Sequence, residues 1–136
     1  MFTFTVFGPP ATKGSTRSFR SASTGAVVTM ADCSKLPAWS QAVGWAARAA
    51  RLPLVPRPAG VAVTLEVFSV RPKSAKQRVP SVKPDVDKVL RALLDALTGV
   101  AYQDDAQVVA ATVKKAYGSE AKAVVTVSEV ADAESR

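Results

Sequence analysis

Apolar and smaller polar residues alternate along two segments of the chain, and each alternation predicts a half-buried strand. Residues 2–7 read Phe-Thr-Phe-Thr-Val-Phe, and Gly8 with two prolines ends the run. From Val61 to Val70, the aliphatic residues at 61, 63, 65 and 67 fall on one side of an extended chain. Both segments are therefore expected to turn one face toward a common core.

Two more strands are predicted near the end of the chain. A valine-rich run follows Asp105 and reaches about Ala116, and another apolar run extends from Ala121 to Val130. Gly118 and Ser119 lie between the runs and are typical of a turn. The pattern therefore predicts two strands joined by a short connection.

Two other segments place apolar residues three and four positions apart, which predicts helices. The first extends from Lys35 to Leu52, with Ser34 as a candidate cap and Pro37 in the first turn. The second begins at Asp85, directly after Pro84, and ends at Leu97. Its apolar positions 86, 89, 90, 93, 94 and 97 form one stripe, so this helix has a clear packing face.

The remaining long segments are polar and basic. Residues 11–23 are rich in Ser, Thr, Lys and Arg and predict a loop, followed by a short hairpin that includes the apolar run from Ala26 to Met30. Residues 71–83 are rich in Lys and Arg, contain two prolines and show no periodicity, which indicates a basic loop. These elements predict a single α+β domain over residues 1–130, with a mixed β-sheet and two main helices, and a flexible tail at 131–136.

Composition narrows the chemistry that the chain can perform. The 136 residues include no His, which excludes Ser-His and Cys-His hydrolases and His-ligated zinc sites. Cys33 is the single cysteine, so neither an intrachain disulfide nor a Cys-rich zinc site can form. The formal net charge of +7 favours a polyanionic partner such as nucleic acid. No apolar run is long enough for a membrane span and no signal peptide is recognisable, so we expect a cytoplasmic protein.

Aspartates at the start of the second helix are candidate metal ligands. Asp85 and Asp87 fall in its first turn, where the helix N-terminus favours negative charge. Carboxylate oxygens are ligands that Mg²⁺ prefers, and Lys88 or Arg91 nearby can hold a phosphate. Asp is also a common helix cap, so the spacing alone leaves a purely structural role open.

Asp104 and Asp105 can join that pair only if the chain returns along the helix. The helix carries the chain about 19 Å away from Asp85. Residues 98–104 cover about 23 Å when nearly extended, which is just enough for the return. A taut connection is therefore one possibility. The other is that the Asp104-Asp105 pair completes the site of a second subunit, and Asp-Asp is in addition a common turn dipeptide.

Residues 83–109, KPDVDKVLRALLDALTGVAYQDDAQVV, resemble the signature of RusA-family Holliday junction resolvases. The shared features are an Asp-x-Asp pair that opens a helix, an Asp-Ala-Leu near its end, and an Asp-Asp-x-Gln-Val strand entry. Upstream, GPPATKGSTRSF followed by GAVVT is similar to the family's basic loop and hairpin. The resemblance extends from Phe7 to Val109, although the central segment carries its specificity.

The resemblance implies a homodimer that nicks opposing strands of a four-way DNA junction with Mg²⁺ or Mn²⁺, in DNA recombination and repair. Such enzymes are often encoded by phages and prophages. By motif, the three metal-binding aspartates correspond to Asp85, Asp87 and Asp105. Asp104 is then a neighbour of the third ligand. The family commonly has a functional lysine where this chain has Arg91, and an Asn where it has Lys88, so Arg91 and Lys88 are both candidates for the supporting cation.

Basic residues in the two loops are candidates for phosphate contact. With Lys88 on the helix, the set is Lys13, Arg17, Arg20, Lys73, Lys76, Arg78 and Lys83. Phe19 is a candidate to wedge into a base step or simply to pack the hairpin. Trp39 lies on the apolar stripe of the first helix and is expected in the core, whereas Trp45 falls off the stripe and is a candidate dimer contact.

Two other functions remain open on the residues alone. One is a non-catalytic, basic protein that binds branched or duplex DNA, in which the aspartates only cap a helix and a turn. The other is a structural or regulatory protein whose basic loops bind the acidic face of a partner. Metal-dependent nicking of a DNA junction distinguishes an enzyme from both.

Overall fold

The strands predicted from alternation assemble into one mixed sheet. The computed structural model describes residues 1–13, 16–20, 27–31 and 35–130, and for residues 16–20 and 27–31 it describes the backbone alone. The elements are β1 (Phe2–Phe7), β2 (Thr16–Arg20), β3 (Val27–Ala31), α1 (Leu36–Ala49), β4 (Gly60–Val70), α2 (Val86–Leu97), a 3₁₀ helix (Asp105–Gln107), β5 (Val108–Gly118) and β6 (Lys122–Val130). The order of helices and strands agrees with the α+β prediction.

The main sheet has the strand order β1-β6-β4-β5. β6 is antiparallel to both of its neighbours, whereas β4 and β5 are parallel and are connected through α2. Leu65 of β4 pairs with Val125 of β6 on one side and with Val113 of β5 on the other. β2 and β3 form a separate antiparallel pair. The mixed sheet expected from the sequence is therefore confirmed.

The core lies between one face of this sheet and the two helices. α1 packs against α2 and β1, and α2 packs against β5. The alternation in β4 is realised, because its residues 61, 63, 65 and 67 are all buried. Trp39 of α1 is 5% exposed, which confirms its predicted place in the core. Neither of the two helices in the described part of the chain is long and apolar enough to cross a membrane.

Several boundaries differ from the sequence expectation. α1 ends at Ala49, three residues before the predicted Leu52, and β5 continues to Gly118, into the predicted turn. β2 begins at Thr16, inside the segment predicted to be a loop. Its residues show no apolar alternation, and the strand forms because its backbone pairs with β3. The N-cap position of α1 belongs to Lys35, and no side chain caps it, while Ser34 lies outside the described residues. The predicted flexible tail at 131–136 also lies outside them.

Candidate active site

A groove along the exposed side of α2 brings acidic side chains together. Asp87, Arg91 and Asp95 follow one another at four-residue intervals, so they lie on the same side of the helix. Asp105 reaches this side from the 3₁₀ helix. The groove has a volume of about 240 Å³ and is lined by Asp87, Leu90, Arg91, Leu94, Asp95 and Asp105. Two of the three predicted metal ligands therefore share one groove with the predicted cation Arg91.

Asp85, the remaining predicted ligand, takes the N-cap position of α2. Its side chain forms no cap hydrogen bond, and the Oδ2 atom lies 3.4 Å from Nζ of Lys88. The Asp85 side chain is 48% exposed and does not line the groove. Its carboxylate is available to a ligand in solvent, near the positive end of the helix dipole.

The connection between α2 and Asp105 is a hydrogen-bonded turn. Gly99, at φ +82°, donates its amide to the carbonyl of Tyr102 at 2.7 Å, and the Tyr102 hydroxyl donates to the carbonyl of Leu94 at 2.6 Å. The near-extended path expected for residues 98–104 is therefore wrong. A compact turn brings Asp105 to the side of α2 within the same chain.

Tyr102 anchors this turn from inside the core. Its side chain is fully buried, and its backbone forms an isolated bridge with Val55. Burial raises the pKa of the Tyr102 phenol above its ordinary value; a hydrogen bond with Thr98 acts in the opposite direction, and the negative charge of Asp105 raises it further. The phenol is thus a neutral hydrogen-bond donor that fixes the turn to α2.

Asp104 caps the 3₁₀ helix instead of facing the groove. Its Oδ1 accepts a hydrogen bond from the amide of Ala106 at 3.0 Å, and Gln107 completes a capping box. That amide holds the pKa of the Asp104 carboxyl below its ordinary value, assisted by a hydrogen bond with Asp105 and by the charge of Arg57. Asp104 does not line the groove, in keeping with its expected place beside the third ligand.

Gln107 is a buried polar residue whose side chain is fully hydrogen-bonded. Its Nε2 donates to the carbonyls of Val55 at 3.1 Å and Ala59 at 3.0 Å. Its Oε1 accepts from the amides of Gln103 at 2.9 Å and Asp104 at 3.0 Å. These four bonds join the segment that carries Asp105 to the chain before β4, and thereby fix its position relative to α2.

Two of the predicted DNA-binding lysines form ion pairs near the groove. Lys13 pairs with Asp95, and its backbone amide donates to the carbonyl of Lys88 at 3.0 Å, so the first loop is tied to α2. Lys88 itself pairs with Asp85. Both side chains of the Lys13–Asp95 pair are 44% exposed, so water screens the interaction.

The other predicted DNA-binding residues occupy two places in the fold. Arg17 and Arg20 lie on β2, opposite Met30 and Val27, and their side chains are outside the described part of the structure. Phe19 is on the same strand. The residues of the second loop are all exposed: Lys73, Lys76, Arg78 and Lys83. The second loop therefore offers a row of accessible cations directly before α2.

The donor chemistry of the groove fits a hard divalent cation. Asp87 and Asp105 contribute carboxylates, and Mg²⁺ is usually held by one or two protein carboxylates together with water. Within residues 1–13 and 35–130 no three acidic side chains lie close enough together to hold a metal ion. The described arrangement is thus a two-carboxylate groove with Asp85 beside it.

Sequence reasoning missed the residues that hold the site in shape. Gln107 belongs to the Asp-Asp-x-Gln motif, and its buried side-chain amide explains why a glutamine is needed at this position. The carbonyls to which it donates belong to residues more than 45 positions earlier in the chain, so the sequence did not indicate them. Tyr102 gave no signal beyond its position in the turn. The four-residue spacing predicted that Asp95 lies on the same side of α2 as Asp87. Nothing in the sequence indicated that Asp95 pairs with Lys13.

Comparison with known proteins identifies the family. The family model described as Endodeoxyribonuclease RusA matches residues 8–128. The uncharacterized protein YqaN of Bacillus subtilis (strain 168) is 33% identical over 140 residues, which cover 93% of this chain and 95% of that protein. The chain therefore belongs to the RusA endodeoxyribonuclease family, as its resemblance over residues 83–109 predicted. Membership of a nuclease family does not favour a non-catalytic DNA-binding module.

Proposed function

We propose that this protein is a Mg²⁺-dependent endodeoxyribonuclease that resolves Holliday junctions, and other branched DNA, by paired nicks. Mn²⁺ is expected to substitute for Mg²⁺. The observation that carries the proposal is the groove in which Asp87, Asp105 and Arg91 meet, in a chain of the RusA family. We place its action in DNA recombination and repair, in the cytoplasm of a bacterium or of a phage-infected host.

The aspartates are proposed to bind the metal ion. Asp87 and Asp105 line the groove, and Asp85 lies two residues before Asp87, at the N-cap of α2. A divalent cation bound there supplies Lewis-acid polarisation of the scissile phosphate and a nucleophile at neutral pH. The cleavage products would carry a 5′-phosphate and a 3′-hydroxyl.

Arg91 is proposed to hold the scissile phosphate. Its guanidinium lies in the same groove as the two carboxylates, and its planar donors match phosphate oxygens. Because Arg stays protonated, it stabilises charge that develops on the phosphoryl oxygens and does not transfer a proton. Lys88, which is paired with Asp85, is the second candidate for this supporting charge.

The basic loops are proposed to bind the arms of the junction. The exposed cations of residues 71–83 precede α2 directly in the chain, so DNA that contacts them is proposed to extend toward the aspartates of its first turn. Lys13, Arg17 and Arg20 would extend this surface on the side of the first loop. A homodimer would supply two such grooves to a substrate with approximate twofold symmetry, and Trp45, which is 61% exposed, is a candidate for its interface.

The direct test incubates the purified protein with a labelled four-way junction in Mg²⁺, in Mn²⁺ or in EDTA. We expect paired nicks with either metal and none in EDTA. Absence of nicking at every protein concentration would exclude the nuclease function, and binding without nicking would support the non-catalytic alternative. Light scattering of the same preparation measures whether the protein is a dimer.

A series of Asp→Asn variants assigns the ligands. Asp85→Asn, Asp87→Asn and Asp105→Asn are expected to lose cleavage by more than the roughly 100-fold that loss of an outer-shell partner produces. All three should retain junction binding in Ca²⁺. Asp104→Asn is the matched control, because Asn caps helices as well as Asp does, and it should cleave normally. Normal cleavage by Asp87→Asn or Asp105→Asn would contradict the assignment.

A further inference from the structure

Lys115 joins the loop before α2 to the sheet. The residue lies on β5 beside the buried Val67 of β4, with which it pairs in parallel register. Its Nζ atom donates hydrogen bonds to the carbonyl of Val82 at 2.6 Å and to the carbonyl of Pro84 at 2.9 Å. One ammonium group thus holds two carbonyls on either side of Lys83.

These two carbonyls belong to a segment without regular secondary structure. Residues 71–84 contain no helix or strand, so neither carbonyl has a partner in a helix or a sheet ladder. Pro84 moreover has no amide hydrogen to donate. An ammonium has three donors and no acceptor, which suits it to bridge unpaired carbonyls. Lys115 therefore supplies the hydrogen-bond donors that a neighbouring strand would supply in a sheet.

The bridge borders an apolar pocket. Lys115, Val82 and Pro84 line a pocket of about 300 Å³ whose other walls are mainly proline, valine and aromatic side chains. The bond to the Pro84 carbonyl is partly buried, where a hydrogen bond from a charged donor is stronger, whereas the bond to the Val82 carbonyl is exposed to solvent. Two residues further along β5, the Tyr117 hydroxyl accepts a hydrogen bond from Gln77 at 3.4 Å. The same strand therefore supports the loop at two points.

The held segment leads directly into the aspartates. Pro84 precedes Asp85, whose carbonyl accepts the hydrogen bond from the Val89 amide that begins α2. The body of α2 is fixed by its buried residues, such as Val89 and Leu93, and the bridged Pro84 carbonyl fixes the chain directly before the N-cap residue Asp85. The bridge therefore bears on the first turn of α2, which carries the carboxylates of Asp85 and Asp87. Lys115 does not line the groove.

We propose that Lys115 is a positioning residue that sets the affinity of the site for its divalent cation by fixing Val82–Pro84 and thereby Asp85 and Asp87. The proposal rests on the proposed metal-dependent function. Lys115 itself contacts neither the metal ion nor the DNA. Its loss should therefore weaken metal binding and leave junction binding unchanged apart from the effect of one lost charge.

The experiment compares Lys115→Met with Lys114→Met. Both variants remove one positive charge from neighbouring residues of β5, but Lys114 is exposed and pairs with Glu66 in the register, which places it on the opposite face of the sheet. Three quantities are measured: Mn²⁺ binding without DNA by electron paramagnetic resonance, the Mg²⁺ concentration at half-maximal nicking, and junction affinity in Ca²⁺. Lys115→Arg, which keeps a charged donor, is included as the conservative variant.

We expect Lys115→Met to weaken Mn²⁺ binding and to raise the half-maximal Mg²⁺ concentration by about tenfold, the lower end of the range for residues that orient metal ligands. Lys114→Met should behave as the unaltered protein in both respects, and Lys115→Arg should recover most of the loss. Junction affinity in Ca²⁺ should fall equally in the two Met variants. If Lys115→Met fails to fold by circular dichroism, Lys115→Gln takes its place with the same expected order.

Two results would overturn the proposal. Equal metal dependence in Lys115→Met and Lys114→Met would mean that the bridge does not position the aspartates. A loss of junction affinity in Lys115→Met alone, at unchanged metal dependence, would make Lys115 a DNA contact. If the unaltered protein neither binds Mn²⁺ nor nicks a junction, the proposed function fails first. If it does both while Lys115→Met matches it, only the role of Lys115 fails.

Discussion

Two segments bring aspartates to α2, and they are held in place by different means. The turn that carries Asp105 is anchored by side chains in the core, the fully buried Tyr102 and the four hydrogen bonds of Gln107. The loop that leads to Asp85 is exposed along most of its length and is supported by Lys115 and Tyr117 on β5. The turn that carries Asp105 is therefore fixed together with the core, whereas the loop that enters α2 at Asp85 is supported by polar contacts at the surface.

This difference suits the two tasks proposed for the site. A carboxylate fixed by the core keeps one side of the groove preorganised, which favours tight and specific binding of a cation. A loop supported at few points can adjust to a DNA arm without disturbing the core, because its contacts are local. The loop also carries the exposed basic residues, so the adjustable half of the site is the half that is expected to meet the DNA.

The largest expected effect comes from breaking the buried anchor of the turn. Gln107→Leu removes four hydrogen bonds and leaves backbone groups unpaired, which should lower the free energy of unfolding by about 3 kcal/mol. Gln77→Leu, the matched change in the exposed loop, removes one long hydrogen bond and should cost less than about 0.5 kcal/mol. Urea denaturation measures both, and equal losses would show that the two halves are held alike.

Neutralising the loop should affect DNA binding and not stability. The triple variant Lys73→Gln, Lys76→Gln, Arg78→Gln is expected to bind the junction about a hundredfold more weakly at 0.1 M salt, with the slope of log affinity against log salt reduced by about 2.7. The matched triple Lys35→Gln, Arg48→Gln, Arg51→Gln removes three exposed charges from the region of α1. Similar slopes for the two triples would mean that the loop is not the DNA surface.

A smaller effect separates the two tyrosines. Tyr102→Phe keeps the buried ring but loses the bond to the Leu94 carbonyl, which also accepts from the Thr98 hydroxyl, so we expect a loss of about 1 kcal/mol. Tyr117→Phe, with its 3.4 Å contact to Gln77, should cost less than about 0.5 kcal/mol. Thermal unfolding of both variants at neutral pH makes the comparison.

The Tyr102 variant should also change the response to alkaline pH. The folded-state pKa of this phenol is raised, so its stabilising contribution is fully present below the ordinary value of 10.0 and is lost as the pH rises from there through the folded-state value. Tyr102→Phe should therefore lose less stability between pH 9 and pH 11 than the unaltered protein does. Equal losses in the two proteins would contradict a neutral, buried Tyr102.

Local pattern was sufficient for the elements that alternate or repeat regularly. The alternation in Val61 to Val70 predicted β4, and the apolar stripe predicted α2, because each buries one face against the same core. The four-residue spacing placed Asp87, Arg91 and Asp95 on one side of that helix. These features depend only on the spacing of residues along a helix or a strand, and this spacing can be read directly from one sequence.

Features that depend on distant partners could not be predicted in the same way. The turn after α2 is compact because Tyr102 is buried against residues such as Val55, which lies far away in the sequence. Gln107 likewise depends on carbonyls before β4. Residues 98–104 contain nothing that distinguishes a tight turn from an extended return, so the expected taut path was wrong although Asp105 did reach α2.

The place of β6 in the sheet has a consequence for how the molecule folds. β6 is the last of the described strands, yet it lies between β1 and β4, and it pairs Val127 with Phe2. Contacts so distant in sequence form slowly, because a long stretch of chain must be closed before they are made. By contrast, β4, α2 and β5 follow one another directly and carry both sides of the groove. We expect this central unit to fold first. β1 should join the sheet only after β6 has formed, because β6 is its neighbour in the sheet.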